Sequence, residues 1–559
     1  MKSIILILPL LFSFALISCS MRGDENDLRA FIDKHIKTIE PKFKALNLAS
    51  WNANATGEKK YYDEQAAVEL EVRTIFSNKQ EFEQLKKWKD AGNIQDTLLQ
   101  RQLIIIYNNY LTNQNDTTLM RKIVEKAAAV QNKFNVFRPF IDGKEVSDND
   151  IENILKTEKN STKRQKAWEA SKEVGNAVAA DVIELVKLRN EAAQQLGFKN
   201  YYEMSLIASE QRVDEIVAIF DELKKLTDEP YKKLKSEIDV TLAKKYGIKP
   251  EQMMPWHYQD RFFQEAPQIG TVNIDKYFKG KKIDQLVGTF YSNIGLPVET
   301  ILKNSDIYGR KGKYQHAFST DIDRLGDVRT MQSVVDNKYW TSTMLHELGH
   351  GVYSLNVRRD LPFYLRSETH IFLTEAIAMM MERQSDNADW LQTMVGVSGK
   401  EKETIRAEGQ ENLRMHALIF CRWTQVMMRF EKAMYENPGQ DLNKLWWSLV
   451  KEYQLITPPV GRNAPDWAAK IHLSQAPAYY HNYELGELTA SQLQHYIAKT
   501  ILKQKNIKDV CYANKPEVCT YLKTKVFAPG ASLRWDALIK EATGEPLSAK
   551  FFAEEYVKE

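Results

Sequence analysis

The segment His346–His350, which reads His-Glu-Leu-Gly-His, constrains the fold of this chain more than any other feature. Two histidines four positions apart lie on one face of an α-helix, so both imidazoles can reach one zinc ion at about 2.0–2.1 Å. Glu347 can then take a proton from a water molecule on the metal. The uncharged stretch Thr341–Leu345 and the small Gly349 predict a buried helix that a second backbone approaches closely, a context that two incidental histidines do not explain.

A catalytic zinc ion usually has three protein ligands and one open position, so a third ligand is expected. Glu375 lies within the strongly apolar helical run Phe372–Met381, where a carboxylate is costly unless it is paired or binds a metal. We therefore predict one Zn2+ per chain, held by the two histidines and Glu375. Glu382, two turns further on, would support a ligand. The alternatives are Glu368 or His370 as ligand, both in a polar stretch resembling a loop, and a buried ion pair as the role of Glu375.

Most of the remaining chain has helical periodicity. Apolar residues recur every three to four positions in Lys400–Asn437, Asp181–Phe198 and Val213–Lys225, whereas Gly312–Val335 has the mixed pattern of strands. These patterns predict a mainly α fold with a small antiparallel sheet beside the zinc helix. We expect residues 19–559 to form one domain, with long helices in two lobes around a deep substrate cleft. Helical periodicity alone also allows two independent domains.

Composition excludes some partners. The chain has 559 residues, of which 43% are hydrophobic and 27% charged, as in ordinary globular proteins. The net charge of +3 gives no reason to expect nucleic acid or an anionic membrane surface as a partner. The deep cleft expected between the lobes would admit short peptides as substrates and exclude folded proteins.

The N-terminus has the features of an export signal. Met1–Lys2 is basic, Ile4–Ile17 is an apolar run too short to span a membrane, and Cys19 follows a small residue. This ending resembles the processing box of bacterial lipoproteins. The resemblance implies that residues 1–18 are a signal peptide and that Cys19 is lipidated. The protein would then be a periplasmic or cell-surface lipoprotein that touches the membrane only through its lipid anchor; an ordinary signal peptide is the alternative.

The other three cysteines suggest one disulfide and one free thiol. Cys511 and Cys519 are eight positions apart in a Pro-containing loop, and an exported protein lies in an oxidising compartment, so a disulfide between them is expected. A zinc site there is less favoured because no other thiol or histidine is nearby in the sequence. Cys421 is expected to be a buried free thiol.

Taken in order, these motifs resemble the angiotensin-converting-enzyme-like peptidyl dipeptidases, which are gluzincin zinc peptidases. In that family an Asp-Leu-Pro segment and then a Glu-Ala-Ile segment follow the zinc motif, as Asp360–Pro362 and Glu375–Ile377 do here. Trp51–Thr56, Arg189–Ala193 and Pro529–Ser532 also resemble family segments. The resemblance implies a zinc metallopeptidase of the dipeptidyl carboxypeptidase type, with Glu375 as the third ligand.

The resemblance also assigns a substrate strand. His316 lies thirty residues before His346, as the strand histidine of the family does. The resemblance implies that His316 and the backbone of Ala317 hold the peptide as an added strand. An extended peptide can dock in this way by main-chain hydrogen bonds to a sheet edge. A surface histidine without such a role is the alternative.

The segment from 470 to 483 carries the remaining implied roles. Peptide hydrolysis builds negative charge on a tetrahedral oxygen, which nearby hydrogen-bond donors stabilise. By resemblance, His472 and Tyr483 are these donors, with Tyr480 as a second candidate because the spacing is one residue longer than in the family. Lys470 and Tyr480 would bind the C-terminal carboxylate of the substrate. The alternative for the tyrosines is an aromatic core stripe.

Some positions depart from the family or stay open. A carboxylate-binding glutamine could be either Gln259 or Gln264. Asn482 stands where animal members have an arginine of a chloride site, so chloride activation is not implied, and Met379 stands where an aspartate is common. Two other functions remain open: an endo-acting oligopeptidase of a related zinc family, and a non-enzymatic surface lipoprotein that binds peptides.

Overall fold

The structure is a computed structural model that describes residues 8–270 and 272–557, with side chains described from residue 23 onward. The predicted lipidation site Cys19 therefore lies outside the described side chains, as does the predicted signal peptide. Within this part of the chain, no helix combines the length and the hydropathy needed to cross a bilayer.

The fold is mainly α, as predicted. Its α-helices are α1 (Leu8–Thr56), α2 (Lys59–Phe76), α3 (Lys79–Ala91), α4 (Thr97–Leu111), α5 (Thr117–Val136), α6 (Asp148–Thr157), α7 (Ser161–Gln195), α8 (Tyr201–Ala208), α9 (Val213–Tyr246), α10 (Ile283–Asn293), α11 (Glu299–Asn304), α12 (Lys338–Asn356), α13 (Ile371–Glu382), α14 (Ala388–Val395), α15 (Gly399–Glu436), α16 (Leu442–Leu449), α17 (His472–Gln475), α18 (His481–Tyr496), α19 (Pro516–Tyr521), α20 (Trp535–Thr543) and α21 (Lys550–Tyr556). The three periodic segments correspond to α7, α9 and α15. Helix α9 is longer than its pattern and ends at Gly247, which adopts a left-handed φ of 66°.

The predicted antiparallel sheet consists of β3 (Phe318–Asp321) and β4 (Val328–Met331), which pair in the register Phe318↔Met331 to Asp321↔Val328. Strand β3 packs against α12, so the sheet lies beside the zinc helix as expected. A second hairpin, β1 (Phe140–Ile141) with β2 (Lys144–Glu145), was not predicted because two-residue strands have no measurable alternation.

Two glycines allow the central helices to pack closely. A Cβ atom on Gly349 of α12 would lie 2.8 Å from the Cα atom of Ala378 in α13, which confirms the predicted close approach. A Cβ atom on Gly486 of α18 would lie 3.3 Å from the Cβ atom of Glu375 in α13. Helix α13 is therefore held between α12 and α18, and the carboxylate of its Glu375 faces both helices.

Among the described residues, the buried hydrophobic side chains form two large clusters and a small third one around Trp51. The larger core includes buried residues from Val130 to Tyr556 and contains the inner faces of α12, α13, α15 and α18. The smaller core joins α1 to α4 with Phe363 and Tyr364. The division into two lobes around a cleft remains a prediction.

The disulfide prediction is wrong for this structure. Cys511 and Cys519 are both free thiols, and the Sγ atom of Cys519 instead donates to the carbonyl oxygen of Gly295 at 3.0 Å. Helix α19 places Cys519 against Gly295, just after the end of α10. Cys421 is a buried free thiol, as expected.

Candidate metal centre

Helix α12 brings two histidines to one face. The helix begins after Asn337, whose side-chain oxygen accepts a hydrogen bond from the backbone nitrogen of Trp340 at 2.8 Å. The Nε2 atoms of His346 and His350 on this helix lie 3.1 Å apart. This pairing follows from the four-residue spacing on a helix.

Glu375 of α13 completes the predicted triad. Its Oε2 atom lies 3.6 Å from Nε2 of His346 and 3.9 Å from Nε2 of His350. Ligands of a tetrahedral zinc ion are about 3.3 Å from one another when metal–ligand distances are about 2.0–2.1 Å. These three side chains keep 15–21% of their surface exposed, so an ion can reach them. The chemistry and spacing of this donor set fit zinc.

The other ring nitrogens are oriented by neighbouring groups. Nδ1 of His346 hydrogen-bonds to Oε2 of Glu382 at 2.9 Å, which is the supporting contact that the sequence suggested. Nδ1 of His350 hydrogen-bonds to Oγ1 of Thr374 at 2.7 Å. Such contacts fix the tautomer in which Nε2 has a free lone pair for a metal. Thr374 had no sequence signal, because only the crossing of α12 and α13 brings it to His350.

Burial and neighbouring charges shift the pKa values of these side chains in different directions. Burial lowers the pKa of His346, but the hydrogen bond and charge of Glu382 outweigh it and raise the pKa to about 9. Burial raises the pKa of Glu382, but the bond to His346 outweighs it and lowers the pKa to about 2. Burial and the charge of His346 lower the pKa of His350. Burial raises the pKa of Glu347 to about 7.

The alternative ligands have other partners. Glu368 accepts a short hydrogen bond from the hydroxyl of Ser354. His370 precedes α13, where its Nδ1 atom accepts from the backbone nitrogen of Phe372 at 3.4 Å and its Nε2 atom contacts the carbonyl oxygen of Ser209 at 3.1 Å. Both residues therefore stabilise the loop before α13, as its polar sequence suggested.

Of the two predicted oxyanion donors, Tyr483 lies on α18 near Glu375, and His472 is the first residue of α17. The carboxylate of Glu375 and, more strongly, burial raise the pKa of Tyr483, which therefore stays a hydroxyl donor. The ring of His472 lies 5.2 Å from that of Tyr480, and burial and then Lys470 lower the pKa of His472 to about 4. Its imidazole is therefore neutral at pH 7, with one N–H to donate. Tyr480 is the residue that precedes the first turn of α18.

Lys470 and Tyr480 are brought together with one of the two candidate glutamines. The Nζ atom of Lys470 donates to Oε1 of Gln264 at 2.6 Å and lies 5.3 Å from the ring centre of Tyr480. Burial lowers the pKa of Lys470 to about 8. Gln259 instead has a left-handed φ of 64° and accepts from the backbone nitrogen of Gln268 at 3.1 Å. Gln264 is thus the glutamine that joins Lys470.

His316 and Ala317 lie immediately before β3 rather than within it. His316 is exposed, and its ring centre lies 5.3 Å from that of Tyr314, with the two rings tilted by 51°. Among the described residues, only β4 pairs with β3, so the other edge of β3 has no strand partner.

One group near the donors was missed by sequence reasoning. Gln211 hydrogen-bonds to Asn482 through its nitrogen and to His481 through its oxygen, both at 2.8 Å. It thereby fixes the first turn of α18. Gln211 lies 270 positions before His481 in the chain, so no local pattern could identify it.

The helical fold and the two-histidine, one-glutamate site define a gluzincin-type zinc metallopeptidase. The chain belongs to Peptidase family M3, whose profile matches residues 154–558. The profile of the family described as angiotensin-converting enzyme matches residues 22–259. Both families are zinc-dependent.

Individual relatives are angiotensin-converting enzymes. The enzyme of Theromyzon tessulatum is 23% identical over 442 residues, covering 72% of this chain and 70% of that protein. The enzyme of Haematobia irritans exigua is 22% identical over 449 residues, or 73% of this chain and 72% of that protein. The enzyme of Rattus norvegicus is 22% identical over 578 residues, or 93% of this chain but only 42% of the rat protein.

Proposed function

We propose that this metallopeptidase releases dipeptides from the C-termini of short peptides. The observation that carries the proposal is the cluster of Lys470, Gln264 and Tyr480 beside the donors His472 and Tyr483. The M3 match by itself gives only the peptidase class, since that family also includes oligopeptidases.

The cluster offers donors to a ligand. Lys470 is an ammonium group with donors only, and Gln264, whose oxygen accepts from Lys470, keeps its amide NH2 group for a ligand. Tyr480 has a hydroxyl proton. A carboxylate is the ligand that accepts from all three, and charge-assisted hydrogen bonds of this kind are the strong ones.

The position of the cluster supports a cut two residues from the end. The ring centres of Tyr483 and Tyr480 are 5.2 Å apart, and Lys470 Nζ lies 5.3 Å from the ring centre of Tyr480. An extended dipeptide spans about 7 Å. A peptide whose carboxylate binds Lys470 would therefore present its penultimate peptide bond near Tyr483 and Glu375.

The proposed mechanism assigns one task to each side chain. Zinc, when bound by His346, His350 and Glu375, would polarise the scissile carbonyl and make water more acidic. Glu347 takes the proton of the attacking water and gives it to the leaving amine. His472 and Tyr483 donate to the oxygen on which negative charge develops. The edge of β3, with His316 and Ala317 just before it, would hold the peptide backbone.

We also propose that residues 1–18 are removed and that lipidated Cys19 anchors an exported protein. The apolar run ending at Cys19 supports this location. A Cys19→Ser variant should appear in the soluble fraction while the wild-type protein sediments with membranes; equal sedimentation of the two proteins contradicts the anchor.

The decisive experiment compares a short peptide with its C-terminal amide. The purified protein is incubated with both, with and without a chelator, and the products are weighed by mass spectrometry. Loss of two residues from the free acid only, stopped by the chelator, is expected. Equal cleavage of the amide would indicate internal cleavage instead, and no chelator-sensitive cleavage would leave a peptide-binding role.

A further inference from the structure

Trp423 of α15 connects the core to the predicted carboxylate site. Its indole nitrogen donates a hydrogen bond to the hydroxyl of Tyr480 at 2.6 Å, and the two rings are perpendicular with centres 6.0 Å apart. Spacing alone makes Trp423 one of the apolar residues of an amphipathic helix, a role that needs no hydrogen bond. The bond to Tyr480 therefore indicates a second role.

The direction of this bond determines what Tyr480 can do. An indole nitrogen only donates, so the Tyr480 oxygen must be the acceptor, and its own proton remains to be donated. No other described side chain accepts that proton in the structure. Tyr480 is thereby prepared to donate to a ligand oxygen.

Packing holds the donor in place. Trp423 is fully buried, with the rings of Phe262 and Trp446 at 5.3 and 5.8 Å from its own. Lys470 Nζ lies 5.3 Å from the ring centres of both Trp423 and Tyr480, a distance at which cation–π attraction holds an ammonium group. The phenol and the ammonium group are therefore fixed against the same tryptophan.

We infer that Trp423 is a positioning residue for the C-terminal carboxylate of the substrate. By donating to Tyr480, it aims the phenol proton at the carboxylate that Lys470 and Gln264 bind. The substrates it favours are peptides with a free C-terminus. This inference rests on the proposed function and adds a residue that acts only through Tyr480.

The test uses Trp423→Phe, which keeps an aromatic ring and removes the N–H. Steady-state kinetics are measured in the zinc-loaded, full-length protein on N-acetyl-tetraalanine and on its C-terminal amide. We expect KM for the acid to rise roughly 3- to 10-fold, the usual effect of one hydrogen bond, with kcat unchanged and the amide unaffected. An unchanged KM for the acid overturns the inference, as does an equal loss on both peptides, which would indicate a merely structural role.

A double-mutant cycle tests the route through Tyr480. In a Tyr480→Phe background, Trp423→Phe should raise KM no further, because the acceptor is already gone. Additive effects would contradict the inference. If Trp423→Phe does not fold, Tyr480→Phe alone decides: an acid-to-amide preference equal to that of the wild type overturns the inference.

Trp390→Phe is the matched control. Trp390 is also fully buried, but its indole nitrogen has no hydrogen-bond partner among the described residues, so the change should leave KM unaltered. The wild-type protein distinguishes a failure of the proposed function from a failure of the role inferred for Trp423. Equal cleavage of acid and amide by the wild type rejects the proposed function, whereas a wild-type preference that Trp423→Phe retains rejects only the role of Trp423.

Discussion

At the scale of single residues, the two histidines of α12 differ in their surroundings. His346 faces the carboxylate of Glu382, whereas His350 faces the hydroxyl of Thr374. The hydrogen bond and charge of Glu382 raise the pKa of His346 despite its burial, whereas burial and then the charge of His346 lower the pKa of His350. Near pH 7 in the metal-free protein, His346 is therefore protonated on both ring nitrogens and His350 is neutral.

The first prediction concerns Glu347. A Glu347→Gln variant should keep its zinc but lose roughly 10²- to 10⁴-fold in kcat, the contribution of a general base. Metal content by atomic emission and peptide turnover measure the two effects.

Glu368→Gln is the control for that variant. Glu368 was an alternative ligand, but it bonds to Ser354, so its replacement should leave both zinc and kcat in place. Unchanged turnover in Glu347→Gln, or zinc loss in Glu368→Gln, would contradict the assignment.

The second prediction concerns pH. A metal needs the neutral imidazole, so zinc binding should release about one proton at pH 7–8, because the pKa of His346 is raised to about 9, and none once the pH is above that value. His350, with a lowered pKa, releases none. Calorimetric titration in two buffers of different ionisation enthalpy counts the protons.

Glu382→Gln should abolish most of this release at pH 8, since it removes the charge that raises the pKa of His346. It should also weaken zinc binding by 10- to 100-fold, the usual effect of losing a partner of a metal ligand. Proton release equal to that of the wild type would mean that Glu382 does not control His346.

At the scale of elements, the site depends on how closely three helices approach. The predicted ligands lie on α12 and α13, and α18 carries Tyr483 near Glu375. Gly349 sets the first approach and Gly486 the second, because a Cβ atom at either position would meet the neighbouring helix at 2.8 or 3.3 Å. The neighbour at Gly349 is backbone, which cannot turn aside as a side chain can.

The third prediction follows from that contact. Gly349→Ala should lower the free energy of unfolding by about 1–3 kcal/mol, the cost of overpacking, and weaken zinc binding as α13 moves Glu375 away from the histidines. Gly288→Ala in α10 is the matched control, since its Cβ atom would meet only side chains at ordinary contact distances, Leu302 at 3.5 Å and Val298 at 4.0 Å. Denaturant unfolding and zinc titration should separate the two variants; equal stability would contradict the role of Gly349.

At the scale of the whole molecule, the predicted metal joins two helices inside the larger core. Binding to the folded state alone stabilises a protein by about 2.7 kcal/mol at a free concentration of 100 times Kd. The fourth prediction is that chelation lowers the Tm and that zinc restores it. Magnesium, which prefers oxygen ligands, should not restore it.

The same measurement on ligand variants gives the control. His350→Ala and Glu375→Ala should make the Tm insensitive to zinc, whereas the Tm of Glu347→Gln should still respond. A zinc response that survives the loss of Glu375 would mean that another residue is the third ligand.

The pattern along the chain was enough to predict those residues of the site that a single helix identifies. His346 and His350 share a face because they are four residues apart in a helix, and Glu375 was recognisable as a carboxylate in an apolar run. The disulfide prediction failed because sequence proximity does not fix the direction of a thiol. The two-residue strands β1 and β2 were too short for any period.

The sequence by itself determined the helix of the zinc motif and the mainly α fold, because a helical period fixes which side chains share a face. It also named the three candidate ligands that the structure brings together. Only the tertiary structure decided that Gln264 rather than Gln259 joins Lys470, 206 positions away, and that Trp423 donates to Tyr480. It also decided that Thr374 orients His350. These contacts depend on how helices cross, and a crossing is set by the packing of the whole core rather than by the pattern along one segment.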